Sequence, residues 1–308
     1  MDRMRAAFWN ADERRVRALW RVLLHAVALV LFWLVTVLVL PAGLPWAVTA
    51  SSTVVVAVAA TWLLAATLDK RRFVEFGLRL SPRWWLDFGA GVGIGALLMA
   101  AIFVVELGAG WLLIEDRFVG ADPGQPFALA LLGSLVVFVA IGFYEELISR
   151  GYHLRNLAEG LRAGPIGPRG ALVLATLLSS SVFGILHAGN ANATLLSTIN
   201  VSLAGVMLAL GLLWTGELAL PIGLHLSWNF CQGNLFGFPV SGNFVSARVF
   251  AIAQAGDPLI TGGEFGPEGG LLGLGAMVLG AGLIAGWVRL SRGELRLRHE
   301  LTQWQPED

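Results

Sequence analysis

The chain has a single cysteine, Cys231, and little charge: only 14% of its 308 residues are Asp, Glu, Lys or Arg. One cysteine excludes an intrachain disulfide and any fold stapled by disulfides. Soluble domains carry roughly 25% charged residues, so a chain with about half that share is not built for water on all sides. Basic and acidic residues are equal at 21 each, which leaves no basic surface to suggest nucleic acid as a partner. The 38 glycines show no three-residue period, excluding a collagen-like chain, and 56% hydrophobic residues exclude disorder. With a mean hydropathy of +0.72, the composition is that of an all-α, polytopic membrane helix bundle.

A helix needs about 20 apolar residues to cross a bilayer. Eight stretches qualify by that length: 18–40, 46–68, 84–113, 127–150, 171–188, 194–214, 218–237 and 270–290. The first run is longer than the ~7–15-residue core of a signal peptide and a second span follows at once, so it is expected to be a retained helix. Pro41, Gly43 and Pro45 supply the turn between the first two. All 21 basic residues except Arg117 and Arg248 then fall on one side of an eight-helix arrangement. The positive-inside bias therefore predicts an integral protein of the cytoplasmic membrane with both termini cytoplasmic.

Ionisable side chains inside such segments cost about 2.5–3.5 kcal/mol each on insertion scales and require a partner or a function. Phe143-Tyr144-Glu145-Glu146-Leu147-Ile148-Ser149-Arg150 places Glu146 and Arg150 four residues apart, on one helical face, where they can pair. Glu145 sits about 100° further round and points elsewhere. Phe183-Gly184-Ile185-Leu186-His187 puts a histidine one turn from a small residue of the kind found at helix seams. His225-Leu226-Ser227-Trp228-Asn229 stacks His225 above Asn229. Each set also has a plain structural reading, as interfacial charge or interhelical hydrogen bonding. Asp87 and Glu106 are read as structural, as are His25, His153, His299 and Cys231.

The Gly/Pro-rich connection Leu161–Arg169 is a turn. Glu145 lies 17 residues before Arg162 and His187 lies 17 residues after Gly170, each about 25 Å from that turn. A hairpin projecting beyond the membrane would set them at matching height. His225 and Asn229 enter at comparable depth, giving one polar cavity that is expected to face the cytoplasm. Glu, His, His and Asn around water suit hydrolysis, with glutamate as the general base. The same groups also suit a divalent metal that lowers the pKa of bound water. The residues alone leave both versions open.

The ordered motifs Glu-Glu-x-x-x-Arg, Phe-Gly-x-x-His and His-x-x-x-Asn on three apolar segments resemble the CPBP family of intramembrane metalloproteases. These are the CAAX proteases and bacteriocin-processing (Abi) enzymes, including the Ras-converting prenyl-protein endopeptidase. The resemblance implies catalytic roles for Glu145, Glu146, His187, His225 and Asn229, with Arg150 as the structural partner of Glu146. It also implies a divalent metal, zinc in the first instance, on Glu145, His187, His225 and Asn229. It divides the chain into amino-terminal helices (1–126), a catalytic core (127–237) and an outer loop, last helix and tail (238–308). The high Ala, Leu, Gly and Arg content suggests a bacterium, where prenylated substrates are not expected, so the substrate class is a membrane-associated peptide or protein. A non-catalytic peptide-binding or immunity protein of the same fold is the alternative, and a transporter is the third reading. The Gly262–Glu268 stretch receives no role.

Overall fold

The computed structural model describes residues 6–41, 46–120, 124–162 and 166–304. Arg3, Arg5, the Gly43–Pro45 turn and Gly164-Pro165 of the 161–169 connection lie outside the described residues. A short hairpin, β1 (Trp9–Asn10) and β2 (Arg15–Val16), leads into α1 (Ala18–Val39) and α2 (Trp46–Leu64), which ends in a π-helical turn, Ala65–Asp69. Then come α3 (Pro82–Gly108), β3 (Leu112–Val119) and α4 (Phe127–Glu146). A π-helical segment, Leu147–Leu154, and α5 (Arg155–Leu161) continue α4 without a break. After α6 (Gly167–His187), α7 (Leu195–Thr215) and α8 (Ala219–Phe230), the chain forms β4 (Arg248–Gln254), α9 (Pro258–Thr261) and α10 (Leu271–Arg292).

Local chemistry sets several of these boundaries. Ser81 caps α3 by accepting from the Trp84 amide, with Pro82 at the first helical position. Thr194 and Ser197 form a reciprocal box at the start of α7, and Gly216 closes that helix in the left-handed region at φ +78°. Lipid as the outer solvent is legible in α1, whose buried residues are Ala18, Arg21 and His25. Leu38 and Val39, by contrast, are 83% and 73% exposed. A helix that hides its polar side chains and shows its apolar ones is inverted relative to a soluble protein.

Among the described residues, seven helices are long and apolar enough to cross a membrane, counting Phe127–Leu161 as one of 35 residues. The eighth expected span, 218–237, is the shorter α8 continued by a π-helical turn, Cys231–Leu235, which runs through the bundle enclosed by the other helices. The third span also ends earlier than expected, at Gly108. Residues 112–119 pair antiparallel with β4, from Leu112 opposite Gln254 to Val119 opposite Arg248. Close approach of α8 to α3 depends on glycine. Gly91 lies against the Leu220 and Leu224 backbone, Gly95 against Leu224 and Ser227, and Gly223 against Phe88, none with space for a Cβ.

The bundle has two distinct ends. At one, the termini meet. Arg15 bonds Glu159 at 3.0 Å, Arg71 reaches the Gln303 carbonyl at 3.1 Å, and the Trp304 indole donates to Lys70 O at 3.3 Å. The other end carries the β3–β4 ribbon and the loops that follow α6 and α8. These are the terminal and distal ends below.

Candidate functional site

A cavity of about 590 Å³ lies within the bundle, and Glu145, His187, His225 and Asn229 all line it. Four side chains from α4, α6 and α8 thus share one space, as the matched 17-residue separations require. The 35-residue Phe127–Leu161 helix measures about 50 Å, more than the ~30 Å hydrocarbon thickness, so its hairpin with α6 reaches past the membrane.

The adjacent carboxylates have different environments. Glu146 is fully buried; its Oε1 accepts from Arg150 Nη1 and from His225 Nδ1, each at 2.8 Å. Arg150, expected at a charged boundary, is itself 1% exposed in the middle of the π-helical segment. Its guanidinium carbon lies 4.3 Å from the centre of the Phe183 ring. The phenylalanine of the second motif therefore covers the arginine of the first, a cation–π contact strengthened by exclusion of water. Glu145 turns toward the cavity. Its Oε1 accepts from the Tyr144 hydroxyl at 3.2 Å, while its Oε2 has no hydrogen-bond partner and lies 3.8 Å from His225 Nε2.

Both histidines are held by one ring nitrogen. A carboxylate only accepts, so His225 Nδ1 donates to Glu146, and its Nε2 faces Glu145. His187 Nδ1 donates to the Phe183 carbonyl at 2.8 Å, which leaves its Nε2 free of that contact. Gly184 lets α6 press onto α7 beside Thr198 and Ser202, where a Cβ would collide with both. Asn229 follows His225 by one turn on the cavity wall.

Donors of this kind and orientation suit a divalent cation, since ligating histidines commonly hold their second nitrogen in this way. Spacing is another matter. Among the described residues no group of three or more His, Cys, Asp and Glu side chains is gathered closely enough to hold a metal ion. The expected set of Glu145, His187, His225 and Asn229 shares a cavity without forming a coordination cluster.

The cavity opens at the distal end, not at the terminal end where the sequence reading placed it. Its exposed lining residues are Asn243, Phe244 and Ser246, in the segment after α8, and Asn190 after α6 is half-buried beside them. Glu268, in the stretch given no role, is 5% exposed and ties this mouth together. It accepts from the Ser241 amide at 2.6 Å, from the Ser241 hydroxyl at 3.0 Å and from Gln232. Burial pushes the Glu268 carboxyl above the usual carboxylate range, against the pull of these donors. Nothing local in the sequence points to Glu268, because its partners lie 27 and 36 residues away.

The other polar residues are structural. Glu106 accepts from Gln254 at 2.7 Å, joining α3 to β4, and Asp87 receives Arg292 and, at 2.8 Å, the Trp287 indole. His25 bonds His153 and Thr61, each at 3.0 Å, so His153 lies inside the bundle rather than beyond its edge. Cys231 is free and buried.

Residues 127–231 match the family model described as "Rce1-like: Type II CAAX prenyl endopeptidase Rce1-like". The chain thus carries an Rce1-like domain, in agreement with the resemblance its motifs suggest, and that domain contains Glu145, His187, His225 and Asn229. The helices on either side lie outside the match. Comparison with curated proteins and with solved structures found no match.

Proposed function

We propose that the protein is an intramembrane endopeptidase that hydrolyses a peptide bond of a membrane-associated peptide or protein. The observation that carries this reading is the Oε2 of Glu145, without a hydrogen-bond partner and facing the cavity beside two histidines, each held by a hydrogen bond on its other ring nitrogen. A carboxylate so placed takes a proton from water as it attacks the scissile carbonyl. Glu146 and Arg150 hold the His225 ring and, through it, the geometry around Glu145. The C–O bond forms as Glu145 takes the proton, and the C–N bond breaks as Glu145 gives that proton to the leaving amine. Asn229 can donate its amide N–H to the oxyanion, and His187 and His225 orient the water. The Rce1-like match supports hydrolysis as the activity.

The test compares peptide ends in membranes expressing the wild type or Glu145→Gln, which keeps the shape and removes the base. Ends that appear only with the wild type establish proteolysis and identify the substrate. Identical patterns, with any phenotype surviving the substitution, favour the non-catalytic peptide-binding protein instead.

A further inference from the structure

We infer that the cavity opens to the extracytoplasmic side of the membrane, so that the substrate is a stretch of membrane-anchored peptide exposed outside the cytoplasm. The substrate half of this statement rests on the proteolytic reading above; the side of opening does not.

Two independent observations meet here. The first is the placement of charge. The terminal end holds Arg14, Arg15 and Arg17 in and around the β1–β2 hairpin, then Lys70, Arg71, Arg72, Arg79 and Arg83 between α2 and α3. Arg155, Arg162 and Arg169 flank the α5–α6 connection, and Arg289, Arg292, Arg296 and Arg298 close the chain there. Contacts confirm that these segments share one end: Arg15 with Glu159, Arg79 with Glu217 at 3.3 Å, Arg83 with the Ser291 carbonyl, and Arg298 with the Trp214 carbonyl at 3.2 Å. The distal end has Arg117 and Arg248. An asymmetry this large retains the terminal end in the cytoplasm.

The second observation is the direction of the cavity. Its mouth residues, Asn190, Ser241, Asn243, Phe244 and Ser246, belong to the distal loops. Its floor is formed deeper in the bundle, where Phe183 covers the Arg150–Glu146 pair. Toward the terminal end beyond that pair the packing is closed. Leu147, Tyr152, Leu154, Leu172 and Leu218 are each 0% exposed in one continuous apolar cluster. A peptide reaching Glu145 from the cytoplasm would have to part this core, whereas one arriving from outside meets half-open polar loops.

Single-cysteine labelling reads the side directly, because Cys231 is buried and the parent chain serves as the blank. Ser246→Cys at the mouth and Glu294→Cys at the terminal end, both at exposed positions, are treated with a membrane-impermeant maleimide in intact cells and in inverted vesicles. Ser246→Cys is expected to label at least about tenfold more in intact cells, and Glu294→Cys at least about tenfold more in inverted vesicles. Labelling of Ser246→Cys only in inverted vesicles, or only after the bilayer is dissolved, overturns the inference. Neither readout needs activity. If the labelling holds while Glu145→Gln changes no peptide ends, the proteolytic reading fails alone.

Discussion

Two buried polar clusters in this bundle differ in one respect that separates structure from chemistry. At the terminal end, Asp69 Oδ1 receives Arg21 at 3.0 Å and its Oδ2 receives the Tyr152 hydroxyl at 2.6 Å. Glu159 takes Arg71 on one oxygen and both Arg15 and Arg21 on the other. Every carboxylate oxygen there is engaged, and the cluster ties the hairpin, α1, α2 and α5 together. In the cavity, Glu145 Oε2 and Glu146 Oε2 have no hydrogen-bond partner. Leaving such atoms unpaired away from water is costly, and functional sites are where that cost is tolerated.

The contrast is broken or sharpened by substitution. Glu145→Gln is expected to lower turnover by about 10²- to 10⁴-fold, the range for loss of a general base, while the thermal midpoint in detergent stays where it was. A large drop in stability instead would place Glu145 with the structural cluster. Glu159→Gln should do the reverse. It leaves three arginines around a neutral amide, a loss of about 3–5 kcal/mol, seen in chemical denaturation, with unchanged turnover per folded molecule. Gly184→Leu lies between the two: it forces α6 from α7, costs about 1–3 kcal/mol, and reduces activity because His187 shares that helix.

The smallest effect concerns Glu268. Burial raises its carboxyl pKa, so the folded chain holds that proton more tightly than the unfolded one. Its stabilising contribution is complete below the unfolded value of about 4.3 and is lost as pH rises through the raised folded value. Glu268→Gln should flatten this dependence, measured as the thermal midpoint across pH. A slope unchanged by the substitution would remove Glu268 from the account of the mouth.

The sequence made the long helices legible because lipid demands unbroken apolar runs, and it made the three motifs legible because charge stands out within them. Other features were hidden for physical reasons. A protein-buried helix is as apolar as a lipid-facing one, so the enclosure of α8 by its neighbours was not legible. The β3–β4 pairing joins Leu112 to Gln254, a distance along the chain that no local pattern reports. Glu106 seemed unpartnered for the same reason, its glutamine being 148 residues away. The cavity's mouth was hidden because residues 240–246 and Glu268, which build it, lie outside the three motifs.

Helix α8 also dictates an order of biogenesis. All ten residues from Ala219 to Trp228 are buried, so the helix is held by protein and not by lipid. Its seat is made by α3, α4 and α7, which are all synthesised before it. Because His225 and Asn229 ride on α8, the nascent chain holds only part of the cavity wall until this helix, and then the mouth segments that follow it, are in place.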